Sequence, residues 1–296
     1  EYQTDGQWVV DYADNTLDLC VSTEPSDLYV YSSYSIIKSQ LLAAVYDGPI
    51  DRVGYDRLPV ILERIPSLAN GFAITQSLVV SPGDWIVNNA GQVITLTPGA
   101  VVRPSGCRGY SCAITYTTGS VLMDQMVVTQ TLLQGLTWSD GQPLTANDSL
   151  YSFNLNGHPD TSGADRARVD STTAYTVNGL TQTVWVGRPG FTPADYGTYF
   201  WQPLPEHVWG GYTPAQLVSA TVSTRTPLGW GPFVIDDWLP GDAISMHKNP
   251  NYFRAGLPRF DNLVVHFVAD PVSDMLAGKC DLAPDWTSLP SVSTLA

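Results

Sequence analysis

Charge is scarce in this chain of 296 residues: only 14% of positions are Asp, Glu, Lys or Arg, and 14 Lys+Arg stand against 28 Asp+Glu. The resulting net charge of −14 repels nucleic acid and anionic membrane surfaces, and no basic patch with interleaved aromatics offsets it. Nucleic-acid binding is excluded. No apolar run approaches the roughly 18 residues that a membrane span needs. No signal peptide is visible, because the chain opens on Glu1-Tyr2-Gln3-Thr4-Asp5, and it reads as a mature or trimmed chain. Neither Cys-x-x-Cys nor His-x-x-x-His spacing occurs, so zinc lacks its usual ligand set and no cofactor is called for. A Gly-x-Ser-x-Gly elbow is also missing, which leaves His207 as a loop-holding residue in place of a catalytic base. Asp140 and Asp148 could tempt a carboxylate-pair reading. Asp148, however, falls in a first helical turn, where the helix dipole favours a negative charge for purely structural reasons.

What is present describes an ordinary folded protein, 44% hydrophobic and 11% aromatic, with length for about two domains. The chain is organised around Arg225 to Asp261. Pro227-Leu228-Gly229-Trp230-Gly231-Pro232 holds one aromatic between two glycines and two prolines, a stiff turn that backbone or ligand can approach closely. Trp230 is expected at the open edge of a sheet, partly exposed; a structural turn with a core tryptophan is the competing reading. The alternating run Phe233 to Trp238, the Pro240-Gly241 turn and Ala243 to His247 predict a β-hairpin. Upstream, Thr16 to Ser22 predicts a first strand, and Ser35 to Tyr46 a helix that stops at Asp47-Gly48-Pro49. Residues 1 to 15 show no period and read as a lead-in. Thr145 is a fitting N-cap for a helix through Phe153. Asn262 to Val268 predicts another strand, Asp270 to Gly278 a short helix, and Cys280 to Ala283 a further strand. Tyr199, Phe200 and Trp201 are either ligand-facing aromatics or core.

Two blocks carry a resemblance. Pro227 to Phe233, the Trp238-Leu239-Pro240-Gly241 hairpin and Asn249-Pro250-Asn251-Tyr252-Phe253-Arg254 through Asp261 form the first. Trp138-Ser139-Asp140-Gly141-Gln142-Pro143-Leu144-Thr145-Ala146-Asn147-Asp148 forms the second. Together, with the Trp138 block preceding the Pro227 block along the chain, they resemble the family 5 extracellular solute-binding proteins, the peptide and oligopeptide receptors of ABC importers. Weaker matches run from about Leu17 to about Ala283, including Glu24-Pro25 after the first strand.

The resemblance implies an α/β fold, the first lobe of a type II periplasmic-binding-protein-like architecture with an inserted β-rich subdomain and the second lobe absent from this chain. Residues 1–47 and 160–275 would form the first lobe, 48–159 the inserted subdomain, and 276–296 the start of a crossover. The segment from about 79 to 133 is longer than the family's and reads as an added hairpin or two. Such proteins close on a peptide or similar small solute and hand it to a membrane permease, with no bond-making step. Ligands in such folds sit beyond the carboxyl ends of strands, which places Tyr29 to Tyr34 at the mouth of a cleft. Tyr29, Tyr31, Ser32, Tyr34, Trp201, Trp230 and Gly231 are the candidate ligand-binding residues. An extracytoplasmic location, with a lipid-modified cysteine upstream, follows from the same resemblance. A self-associating surface module and a hydrolase are the alternatives.

Four cysteines allow three pairings. Cys107 and Cys112 bracket a glycine-containing loop short enough to close into a disulfide, with free thiols as the alternative. In the two-lobed receptors that the chain resembles, the first strand lies between the other two. That order makes Cys20 and Cys280 neighbours and implies a second bridge, with two buried free thiols as its alternative.

Overall fold

The computed structural model describes residues 2–4, 7–9, 15–161, 163 and 165–283. Its principal elements are β1 (Thr16–Val21), α1 (Ile36–Val45), β2 (Ala73–Val80), β3 (Val121–Thr131) and α2 (Ala146–Gly157). They continue with α3 (Arg166–Asp170), β4 (Thr172–Asn178), β5 (Gln182–Gly187), β6 (Phe233–Leu239), β7 (Ala243–Lys248), β8 (Asn262–Phe267) and α4 (Pro271–Leu276). The chain divides into two compact units. The first is Glu1–Asp47, Thr137–Gln142 and Gly211–Ala296, and the second is Gly48–Leu136 and Pro143–Gly210.

The first unit holds a four-stranded sheet in the order β6-β7-β8-β1. β6 and β7 form the expected antiparallel hairpin, and β8 pairs in parallel with β1 with Leu263 opposite Leu17 and Val265 opposite Leu19. The hairpin's alternation breaks at Asp236-Asp237, two consecutive exposed residues. A bulge between Ile235 and Asp237 absorbs the extra residue and returns Trp238 to the buried face, where it is 7% exposed. Without that bulge every later side chain of β6 would change face.

On its other edge β1 meets the segment after α4. Leu282 bridges Leu19 in parallel, and the Cys20 N–H donates to the Leu282 carbonyl at 2.9 Å. β1 therefore lies between β8 and the 280–283 segment, in the implied order, although that segment forms an isolated bridge instead of a strand. The order brings Cys20 and Cys280 to a Cα separation of 5.8 Å, and they are joined by a disulfide across 260 residues. The second disulfide, Cys107–Cys112, has a Cα separation of 5.6 Å.

The second unit is built on an antiparallel sheet in the order β4-β5-β3-β2. Its main core joins Ala73, Met126, Val128, Tyr175, Trp185, Tyr199 and Trp201. Thr145 caps α2 in a full capping box: the Asn147 N–H donates to the Thr145 hydroxyl at 3.3 Å, and Asp148 Oδ2 accepts from the Thr145 N–H at 2.8 Å. Asp148 thus has a structural task. Two small hairpins, Trp85–Val87 with Val93–Thr95 and Val101–Val102 with Ile114–Thr115, fill the insertion, and the second encloses the cysteine loop.

Several expectations are corrected. Tyr2–Thr4 and Gln7–Val9 pair antiparallel, so the lead-in contains a hairpin. The expected return to the first lobe at 160 does not occur there, because residues 160–210 lie in the second unit and the return falls at Gly211. Linker-like composition around 157–170 conceals α3, which the Asp165 carboxylate caps by accepting from the Arg168 N–H at 3.2 Å. Thr137–Gln142, inside the expected insertion, belongs to the first unit. The 276–296 segment is described only to Ala283, and the remainder lies outside the described residues.

Candidate ligand crevice

β1 ends at Val21, and the chain makes a long irregular turn before Ser35 caps α1 by accepting from the Lys38 N–H. A crevice of about 250 Å³ opens between these two ends. Val21, Ser22 and Thr23 line it from the strand, and Ser35, Ile36, Ile37 and Gln40 line it from the helix. None of these side chains is charged. The position, outside the carboxyl end of a sheet strand, is where open α/β sheets bind ligands.

The turn is held by polar contacts from below. Glu24, from the Glu-Pro step, accepts from the Trp238 indole N–H at 2.7 Å and from the Gly241 N–H at 2.9 Å. Asp27 accepts from the Tyr29 N–H at 2.9 Å and from the Ser32 hydroxyl at 2.5 Å. Lys38, 4% exposed, pairs with Asp27 at 3.1 Å and also donates to the Tyr29 carbonyl and the Ser32 hydroxyl. Burial by itself would raise the Asp27 carboxyl; hydrogen bonds from Ser32 and Lys38, with the lysine charge, outweigh it and hold the group below its ordinary range.

Four of the candidate residues come together on this turn. Tyr34 is 78% exposed, Tyr31 and Ser32 are half-buried, and Tyr29 is fully buried with its ring 5.8 Å from that of Tyr31. Tyr29 therefore supports the turn from inside. Sequence reasoning does not single out Ile36 and Gln40 on the crevice wall, or Lys38 beneath the turn. The signal for Lys38 was available, since it shares a helical stripe with the buried Leu41 and Val45, a place where an unpaired lysine is not tolerated.

Trp230 is 1% exposed and stands in the core of the first unit, contrary to its expected place at an open edge. Its ring packs 5.1 Å from Tyr46 and 5.4 Å from Trp138, and its indole N–H donates to the Asp47 carbonyl at 2.9 Å. The flanking glycines serve this packing. The Gly231 N–H donates to the Val45 carbonyl at 2.7 Å, and a Cβ at Gly231 would fall 2.6 Å from that oxygen, while one at Gly229 would overlap it. The loop's backbone lies directly on the last turn of α1, so the close approach is to protein and not to ligand. The second half of the signature completes the latch. Asn249 Nδ2 donates to the Gly231 carbonyl at 2.8 Å, and Arg254 pairs with Asp47 at 3.3 Å. Trp201 is likewise removed from any surface: it is 5% exposed in the second unit, with Tyr175 and Phe153 at 4.7 and 4.8 Å and the Arg168 guanidinium 4.8 Å above its ring.

A four-stranded α/β sheet with a crevice at a strand's carboxyl end, together with a separate β-rich unit in the same chain, fits the type II periplasmic-binding fold. Residues 116–294 match the family model described as bacterial extracellular solute-binding proteins, family 5, and the chain belongs to that family. A putative ABC transporter peptide-binding protein from Brucella ovis is 30% identical over 141 residues, covering 47% of this chain and 26% of the relative. The oligopeptide-binding protein OppA of Lactococcus lactis is 27% identical over 190 residues, covering 56% of this chain and 31% of that protein. Among solved structures, the oligopeptide-binding protein AppA from Bacillus subtilis, in complex with a nonapeptide, superposes with a TM-score of 0.62 at 17% identity. That match covers 90% of this chain and 44% of AppA. A Thermotoga maritima oligopeptide-binding protein with bound mannohexaose superposes at 0.60 with 18% identity, covering 97% of this chain and 44% of that one. The chain thus spans about a quarter of the length of the first curated relatives and under half that of the structural neighbours. The family's members are extracytoplasmic solute-binding components of ABC importers. No helix among the described residues is long and apolar enough to cross a membrane.

Proposed function

We propose that this chain supplies the solute-facing first lobe of an extracytoplasmic receptor that captures a peptide or similar small solute and delivers it to an ABC permease. The observation that carries the reading is the uncharged crevice between the carboxyl end of β1 and the first turn of α1, the general ligand position in such sheets. Tyr31, Ser32 and Tyr34 belong to the turn that joins the strand wall of the crevice to its helix wall, and in this reading they offer aromatic faces and hydroxyls, the usual lining of a solute site. Family membership supports a binding role in place of bond-making chemistry, and the peptide-bound neighbour supports the choice of solute class. Anchoring through an upstream lipidated cysteine and possession of a permease partner belong to the same proposal.

The test is a fluorescence and calorimetric titration of the full-length protein with a panel of synthetic di- to nonapeptides and, separately, with mannohexaose. Saturable binding of at least one peptide, weakened by Tyr34→Ala and by Ile36→Asp, is the expected result. No saturable binding by any panel member, or binding that ignores both substitutions, would overturn it.

A further inference from the structure

We propose that Lys38 is a positioning residue for solute capture, setting the conformation of residues 27–33, the part of the turn between the two crevice walls that carries Tyr31 and Ser32. The inference rests on the receptor reading above.

Lys38 occupies an unfavourable place. It lies in the first turn of α1, where the dipole opposes a cation, and α1 has no acidic residue in that turn to compensate. Its ammonium is buried, which carries a large desolvation cost unless every proton finds a partner. Those partners all come from the turn: Asp27 Oδ1, the Tyr29 carbonyl, the Ser32 hydroxyl, and the Ser33 carbonyl at 3.4 Å. One side chain of the helix that forms one crevice wall therefore fixes four points of the segment between that wall and the strand wall. The bonds interlock, because the Ser32 hydroxyl also donates to Asp27, and Asp27 in turn accepts from the Tyr29 N–H.

Stability alone is a poor explanation for such a pair. Replacing both members of a buried ion pair with apolar residues is often neutral or stabilising, so the role assigned to this pair is to fix one conformation of the turn. Preorganisation of a binding loop lowers the ordering cost of association, and its loss appears directly in affinity.

The experiment uses the full-length protein and three variants, Lys38→Met, Asp27→Leu and the double substitution. Two measurements are made on each: hydrogen exchange resolved to the Tyr29 and Ser32 amides, and affinity for the tightest-binding peptide of the panel. We expect exchange at both amides to rise in Lys38→Met while the β6–β8 strands stay protected, and affinity to fall about tenfold or more as preorganisation is lost. The double variant should keep the parent's melting temperature yet show the same two losses, an outcome that a purely stabilising lysine would not give. Should Lys38→Met fail to accumulate as folded protein, the double variant carries both measurements. Unchanged exchange at Tyr29 and Ser32 overturns the proposal whatever the affinity. Raised exchange with unchanged affinity also overturns it. If the parent protein binds no peptide of the panel, the receptor reading fails first and the capture role with it, even where exchange rises.

Discussion

Trp230 illustrates how far a single residue's meaning depends on what stands next to it. Two flanking glycines suggest a loop open to a ligand, and here they admit the carbonyl of Val45 instead. Trp230→Ala should therefore behave as a core truncation and cost about 3–5 kcal/mol, read from urea denaturation of the first unit. Near-parent stability of that variant would show that the enclosed ring contributes little to holding the fold. Gly231→Ala tests the same contact from the other side. The added methyl meets the α1 backbone, which cannot swing away as a side chain would, so a loss of about 1–3 kcal/mol is expected. Aspartates 27 and 124 carry the acid response. Burial works to raise both carboxyls, and hydrogen bonds outweigh it, from Ser32 and Lys38 at Asp27 and from Ser105, the Gly106 N–H and Ser77 at Asp124. Both groups are lower in the folded than in the unfolded chain. Their stabilisation is complete above the ordinary carboxylate value near 4 and is lost as pH falls below it through the lowered values. Asp124→Asn should flatten the acid limb of a fluorescence-monitored pH titration below the ordinary carboxylate value of about 4, and an unchanged limb would show that other groups dominate.

At the scale of elements, the two disulfides differ in what they constrain. The Cys107–Cys112 loop contains four intervening residues, whereas Cys20–Cys280 closes a separation of 260. In the chain-entropy model the short loop contributes roughly 2 kcal/mol and the long one roughly 5.5. Paired Cys→Ser substitution at 20 and 280 should lower the melting temperature far more than the pair at 107 and 112, and non-reducing peptide mapping should recover both linkages. Equal effects would mean that the long bridge ties together segments already held by the parallel Leu19–Leu282 contact. The α2 capping box gives a smaller, local test. Thr145→Ala removes the side-chain acceptor of the helix N-terminus and should cost about 1 kcal/mol in urea denaturation.

For the whole molecule, alternation and turn chemistry in the sequence were sufficient for most elements. β1, α1, the β6–β7 hairpin and β8 lie within a residue or two of where their hydrophobic period and their caps place them, and α2 starts at its expected cap but runs four residues further, to Gly157, because those signals act over a few neighbouring residues. Short-range signals failed at α3, whose Asp-, Gly- and Arg-rich surroundings mimic a linker, and at the 280–283 segment, too short to make more than one bridge. The signature blocks gave the family, and the cysteine positions with the implied strand order gave the long disulfide. What the sequence could not decide was which aromatics face outward. Trp201 and Trp230 are fully enclosed while Tyr34 is bare, and nothing in their local patterns separates them, since burial depends on partners such as Val45, Trp138 and Tyr175 drawn from distant parts of the chain. The role of Lys38 was hidden for the same reason. Its helical stripe marks it as inward-facing, but only the turn of residues 27–33, folded back over α1, supplies the carboxylate and carbonyls that make a buried ammonium tolerable there.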